Sequence, residues 1–165
     1  MPKMTAYRAI YPGPQRQAGA PATRRSELGA MSYVELGRGT LEEHEAVQST
    51  VLNRMASGQR YFAHGKELNE HNVITAPGQY QGVMDHPEEF GKYLAGTAVG
   101  AQNAAQAERD LRLTGRPTTN ATFYIAHIDG SPPSDHEIMN LGRNLQPAGK
   151  VGRVYLYEPK PPSKK

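Results

Sequence analysis

Twice early in the chain, apolar residues recur at a helical period. Leu28, Met31 and Glu35 stand at i, i+3 and i+7, on one face of a helix. Ser26 just ahead is a good N-cap residue, Glu27 suits the first turn, and Gly37 and Gly39 close the segment. The second helix opens on Thr40-Leu41-Glu42-Glu43, a capping box with Glu43 at N3. It is predicted to run to about Ala56, with Val47, Val51 and Met55 as its stripe, His44, Gln48 and Leu52 beside them, and Gly58 ending it.

Residues 59–86 hold no sustained period and read as irregular around a Pro77-Gly78 turn. Pro87 sits well in the first turn of a short helix ending near Leu94. An alanine-rich helix is predicted from about Thr97 to Leu113, closed by Thr114-Gly115 and Pro117. Residues 121–128, ATFYIAHI, alternate and are β-branched and aromatic, which predicts a strand turned at Asp129-Gly130. A short helix over Asp135 to Leu141 and a second strand over 153–158, paired with the first, complete the pattern. Helices come first and strands late, so the fold class is α+β.

Composition narrows the chemistry. The 165 residues suit one domain, and no run of about 18 apolar residues exists, so no membrane span is expected. The chain has no cysteine, which excludes disulfides, thiolate metal sites and a Cys nucleophile. The first ten residues lack an apolar run, so a cleaved secretory signal is not expected. Charge is uneven. Residues 1–25, rich in Pro and Gly, carry Lys3, Arg8, Arg16, Arg24 and Arg25 and no acid, and residues 159–165 carry Lys160, Lys164 and Lys165 and no acid. The stretch 26–158 therefore has a net charge of −5 although the whole chain is at +3. The reading is a flexible basic arm (1–25), a folded domain (26–158) and a basic tail (159–165). A folded part that is acidic argues against a nucleic-acid-binding face.

Glu35 is the first candidate for chemistry. It lies on the apolar face of its helix and in the last turn, where lost water and the negative end of the macrodipole both disfavour a carboxylate. A raised pKa is what a general acid needs near neutral pH. The alternative is a helix-end carboxylate bonding a nearby Arg or backbone N–H. His44-Glu45 begins like a zinc-protease motif, but its fifth position is Gln48. His127, Asp129 and His136 could supply metal ligands, which keeps a metal-dependent amidase or peptidase open as a distant reading.

The stretch from Glu35 to Arg54, ELGRGTLEEHEAVQSTVLNR, resembles the first motif of the SleB-like cell wall hydrolases: E-A-R-G-E, a few residues, E-G-Q, an Ala/Val-rich helix and L-N-R. Leu52-Asn53-Arg54 is identical to the closing triplet. Pro77-Gly78-Gln79-Tyr80 looks like the family's Gln-Phe segment, the run Thr118 to Tyr124 like its T-x-G-A-x-x-F/Y strand, and the run Val151 to Tyr157 like its closing I-G-x-H-x-F-Y strand. Gly37 and Gly39 stand where the motif has Arg and its second Glu, Val154 stands in place of the late His, and YFAHGKELNEHN after Arg54 has no counterpart.

The resemblance implies a lysozyme-like fold, with a helical lobe, a small antiparallel sheet and a cleft between them. It implies Glu35 as a single catalytic acid, and Gln79, Tyr80 and Tyr124 as sugar contacts, with Phe123 packed in the sheet. The activity implied is cleavage of the β-1,4 bond after N-acetylmuramic acid in peptidoglycan, of the lytic transglycosylase type, without metal or cofactor. In that chemistry one carboxylate suffices; Glu43 and Glu45 are read as solvated, and no second acid has an evident place. A wall substrate and no expected signal imply a protein made in the cytoplasm and delivered by a phage particle or secretion machinery, to act in the periplasm or at the cell wall. The alternative is a catalytically inactive wall-binding or structural module on the same fold.

Overall fold

The computed structural model describes residues 25–162. The proposed arm lies outside the described residues except for Arg25. About half of the described residues are helical, and a small three-stranded antiparallel sheet completes an α+β fold.

Helix α1 (Glu27–Leu36) is buried along Leu28, Gly29, Ala30, Met31, Ser32 and Tyr33. Burial on all sides marks a central helix, and α1 is in contact with every helix from α2 to α6: α2 (Leu41–Ala56), α3 (Glu70–Thr75), α4 (Gln81–Asp85), α5 (Pro87–Ala95) and α6 (Gln102–Thr114). Its small residues permit that close company. Ser26 stands at the N-cap, but its side chain caps nothing. Its hydroxyl donates instead to Oε1 of Glu108 on α6 at 2.5 Å. Tyr93 also donates to Glu108, and Arg112 reaches both Glu108 and Glu70 at 3.4 Å. Burial raises the pKa of both carboxylates, that of Glu70 to about 7. This polar network pins the start of α1 to α3 and α6.

Helix α2 forms as its capping box predicts. Thr40 accepts from the Glu43 N–H at 3.1 Å, and the Glu43 carboxylate accepts from the Thr40 N–H at 2.9 Å. Val47 and Val51 enter the main core with Leu28, Met31, Ile74, Ala121, Val154 and Leu156. The segment read as irregular has more order than its sequence suggests: a 3₁₀ turn at Arg60–Ala63 and the short helices α3 and α4. Helix α6 starts at Gln102 and not at Thr97, because Gly100 turns the chain at φ 73°. A side chain at Gly100 would also lie 2.8 Å from the Arg38 guanidinium carbon. Helix α7 (Asp135–Leu141) begins at a Ser134 capping box where expected.

The strands are β1 (Phe123–Ala126), β2 (Leu145–Val151) and β3 (Val154–Pro159), in the order β1-β3-β2. Phe123 pairs with Tyr157 and Ala126 with Val154. β2 is unannounced in the sequence. It carries Pro147 and Gly149 at a register shift, and an edge strand tolerates both. The expected boundaries move at both ends. Arg25 lies over the Tyr93 ring at 4.9 Å, Pro159 pairs with Leu145, and the Lys160 N–H bonds the Asn144 carbonyl at 2.7 Å. No described helix is long and apolar enough to cross a membrane.

Candidate active site

Glu35 sits in the last turn of α1, and its two carboxylate oxygens are held from different parts of the chain. Oε2 accepts from the Gly82 N–H in α4, and Oε1 accepts from the Tyr124 hydroxyl on β1. A Cβ on Gly82 would stand 2.5 Å from Oε2 and 2.9 Å from the Val34 carbonyl oxygen, so only glycine allows this approach. The electrostatics pull both ways. Burial raises the Glu35 pKa and the nearby Asp85 charge raises it further, while the two hydrogen bonds and His86 lower it. Burial wins, and the pKa lies above the ordinary glutamate value. The raised value read from the sequence thus has desolvation as its leading cause.

The other residues singled out from the sequence converge here, in roles that differ from those expected. The Tyr80 ring stacks on Tyr124 with centroids 6.2 Å apart and an interplanar angle of 22°. Tyr80 is 1% exposed, so it offers no face to a sugar; this corrects its reading as a substrate contact. Thr50 donates to the Val47 carbonyl at 2.6 Å, so the Tyr80 hydroxyl donates to Thr50, 3.0 Å away. Gln79 is half-buried, and its carbonyl oxygen accepts from Arg54 at 3.0 Å. Tyr124 is half-buried, and its hydroxyl is directed at Glu35. Burial pushes its pKa well above the phenol value, so it stays neutral and can donate to the carboxylate or accept from the acid. Phe123 is buried against Phe62, as sheet packing requires.

Arg54, from the Leu-Asn-Arg triplet, holds this group together. Its guanidinium lies 4.8 Å, 5.0 Å and 5.1 Å from the ring centroids of Phe62, Tyr80 and Phe123. It donates to the Thr122 carbonyl at 2.5 Å, just ahead of β1. A cation over aromatic faces inside a protein is favourable by roughly 2 kcal/mol or more when desolvated. Arg54 thereby joins α2, the Gln79 turn and the start of β1, and so sets where Tyr124 meets Glu35. The sequence carried Arg54 as part of a motif without assigning it a task.

Two further acids are less exposed than the sequence suggests. Glu43 is not solvated but 2% exposed, and its carboxylate accepts from the Arg153 N–H at 2.6 Å and from the Arg153 side chain at 3.1 and 3.2 Å. Burial opposes ionisation there, but the bonds from Arg153 and Thr40 prevail and bring its pKa down to about 2. Glu45 is half-buried; burial, then Asp110 and Glu42, raise its pKa. His44 is fully buried between Ser32 Oγ at 2.9 Å and the Gly37 carbonyl at 3.1 Å. Burial lowers its pKa to about 4, so it is neutral at pH 7, with Nε2–H donating to Gly37 just beyond Glu35.

Of the residues weighed for a metal, His127 has both ring nitrogens engaged, Nδ1 with Ser131 and Nε2 with Glu137 at 2.7 Å. Among the described residues no group of three or more His, Asp or Glu is arranged to hold a metal ion. Asp85 escaped the sequence reading altogether. It is exposed at the end of α4, and its carboxylate accepts from Gln81 at 2.9 Å. Comparison of the chain with protein-family models, curated proteins and solved structures finds no match.

Proposed function

We propose that the chain is a glycosidase that cleaves peptidoglycan at the β-1,4 bond after N-acetylmuramic acid, with Glu35 as its general acid. The observation that carries the reading is the setting of Glu35, a carboxyl whose burial holds its pKa above the ordinary value at a helix end shared by α4 and β1. The motif resemblance points to the same residue by a separate route. In this reading the protonated Glu35 gives its proton to the glycosidic oxygen, and the C1–O bond breaks toward an oxocarbenium-like centre. A hydroxyl then adds at C1. Water leaves a reducing end, whereas the muramyl 6-hydroxyl leaves an anhydro end. The wall lies outside the cytoplasm, so the reading includes delivery by a phage particle or a secretion system.

One observation favours a second reading. Both Glu35 oxygens already accept bonds from within the protein, as in a structural carboxylate, and this suits a catalytically inactive wall-binding or structural module. Purified peptidoglycan and the Glu35→Gln variant decide between them. For a glycosidase, mass spectrometry shows new glycan ends with the wild type, and Glu35→Gln slows their release by roughly 100- to 10,000-fold with little change in melting temperature. Wall binding without new ends supports the inactive module. Activity of Glu35→Gln within twofold of wild type removes Glu35 from the chemistry.

A further inference from the structure

The turn that bonds Glu35 also carries an acid. The Gly82 N–H donates to Glu35 Oε2, and a Cβ on Gly82 would lie 2.5 Å from that oxygen. Asp85 is three residues further along α4, and side chains at i and i+3 of a helix share a face with Cβ atoms about 5–6 Å apart. Asp85 therefore lies on the side of α4 that meets Glu35. Gln81, one turn earlier, donates to Asp85 Oδ1 at 2.9 Å and fixes the orientation of the carboxylate. Asp85 is exposed where Glu35 is half-buried, so solvent reaches the one and is thinned around the other. Two carboxyls in unlike surroundings are what separates a proton donor from a proton acceptor. The charge of Asp85 acts on Glu35 in the same sense as burial does, favouring the acid form.

From this placement we infer that Asp85 is the second carboxylate of the site, a general base that activates water, which makes the enzyme a hydrolase and not a transglycosylase. The inference rests on the glycosidase reading above. In an inverting hydrolase the two carboxyls stand about 6.5–9.5 Å apart, with room for a water between base and sugar. Glu35 gives its proton to the glycosidic oxygen, which leaves with the electron pair of the C1–O bond. The water oxygen forms the new bond to C1 from the opposite face, and Asp85 takes a proton from that water. One water is consumed, both products end in hydroxyls, and Asp85 returns the proton to Glu35 through solvent. The route differs from the one the motif resemblance implies, in which Glu35 serves as acid and then as base.

The test is Asp85→Asn beside Glu35→Gln, on purified peptidoglycan in ¹⁸O-labelled water. The wild type is expected to leave reducing ends that carry the label, with inverted anomeric configuration by NMR on soluble fragments. Asp85→Asn is expected to be 100- to 10,000-fold slower with an unchanged melting temperature. Added azide, which replaces the activated water without needing a base, should restore its rate and yield a glycosyl azide; a merely structural role for Asp85 would not respond to azide. Anhydro ends as the main wild-type product, or Asp85→Asn within twofold of wild type, overturns the inference and leaves Glu35 in place as the acid. Loss of activity with no azide rescue and a lowered melting temperature also overturns it. If Glu35→Gln is fully active, the glycosidase reading itself falls and Asp85 falls with it.

Discussion

The Tyr124 hydroxyl donates a hydrogen bond to Oε1 of Glu35, across 89 residues of chain. The bond favours the carboxylate, whereas burial favours the acid, and the pKa of Glu35 is the outcome of that contest. Removing the phenol oxygen takes away a lowering influence and leaves burial in place. Tyr124→Phe is therefore expected to raise the Glu35 pKa further and to move the alkaline limb of the rate profile to higher pH. Carboxyl titration by NMR, with Glu35→Gln identifying the signal, measures the shift. A titration unchanged or moved downward would mean that the Tyr124 bond does not govern the proton on Glu35.

Gly82 is the tightest steric condition on this arrangement. Gly82→Ala places a methyl 2.5 Å from Glu35 Oε2 and 2.9 Å from the Val34 carbonyl, and backbone cannot yield as a flexible side chain does. Overpacking of this kind costs about 1–3 kcal/mol, so the melting temperature should fall. Activity should fall by more than the unfolded fraction explains, because α4 is pushed away from Glu35. Circular dichroism and rate measured below the melting transition separate the two effects. A variant as stable and active as the wild type would show that α4 can move without consequence.

Stability should depend on pH with two limbs of opposite origin. Glu43 has its folded pKa lowered to about 2, below the ordinary 4.5, so its contribution is complete above about pH 4.5 and is lost as pH falls toward 2. Glu70 has its folded pKa raised to about 7, so the fold is favoured below about pH 4.5 and loses that advantage as pH rises through 7. Each limb amounts to the order of 3 kcal/mol. Melting temperatures from pH 3 to 8 should show Glu43→Gln flattening the acid limb and Glu70→Gln flattening the neutral one. The reverse assignment, or no change in either, would mean that the charges of these carboxylates are solvated in the fold.

Signals confined to a few neighbouring residues were readable in the sequence. The capping box at Thr40 starts α2 where expected, because the box closes within four residues of chain. The apolar face that carries Glu35 was readable for the same reason, since a helical period needs no partner to be seen. The short helices of 59–86 and β2 were not. Stretches of five to seven residues form only when the rest of the fold buries or pairs them, and Pro147 and Gly149 remove the usual strand signature.

At the site, the residue types were legible, while their roles were decided by contacts across the chain. Glu35 could be chosen from its face and helix end, but its partners Gly82 and Tyr124 lie 47 and 89 residues away. Tyr80 reads as a surface aromatic in a Pro-Gly-Gln-Tyr turn and becomes core because Arg54 and Tyr124 close over it. Glu43 reads as a solvated cap and is buried because Arg153, 110 residues later, arrives to pair with it. Asp85 had no local mark at all and acquires meaning only because α4 docks on the end of α1. Burial and charge pairing are properties of neighbours in space; the chain specifies them only through the whole set of packing choices, so a local reading finds the candidate acid and the tertiary structure decides its company.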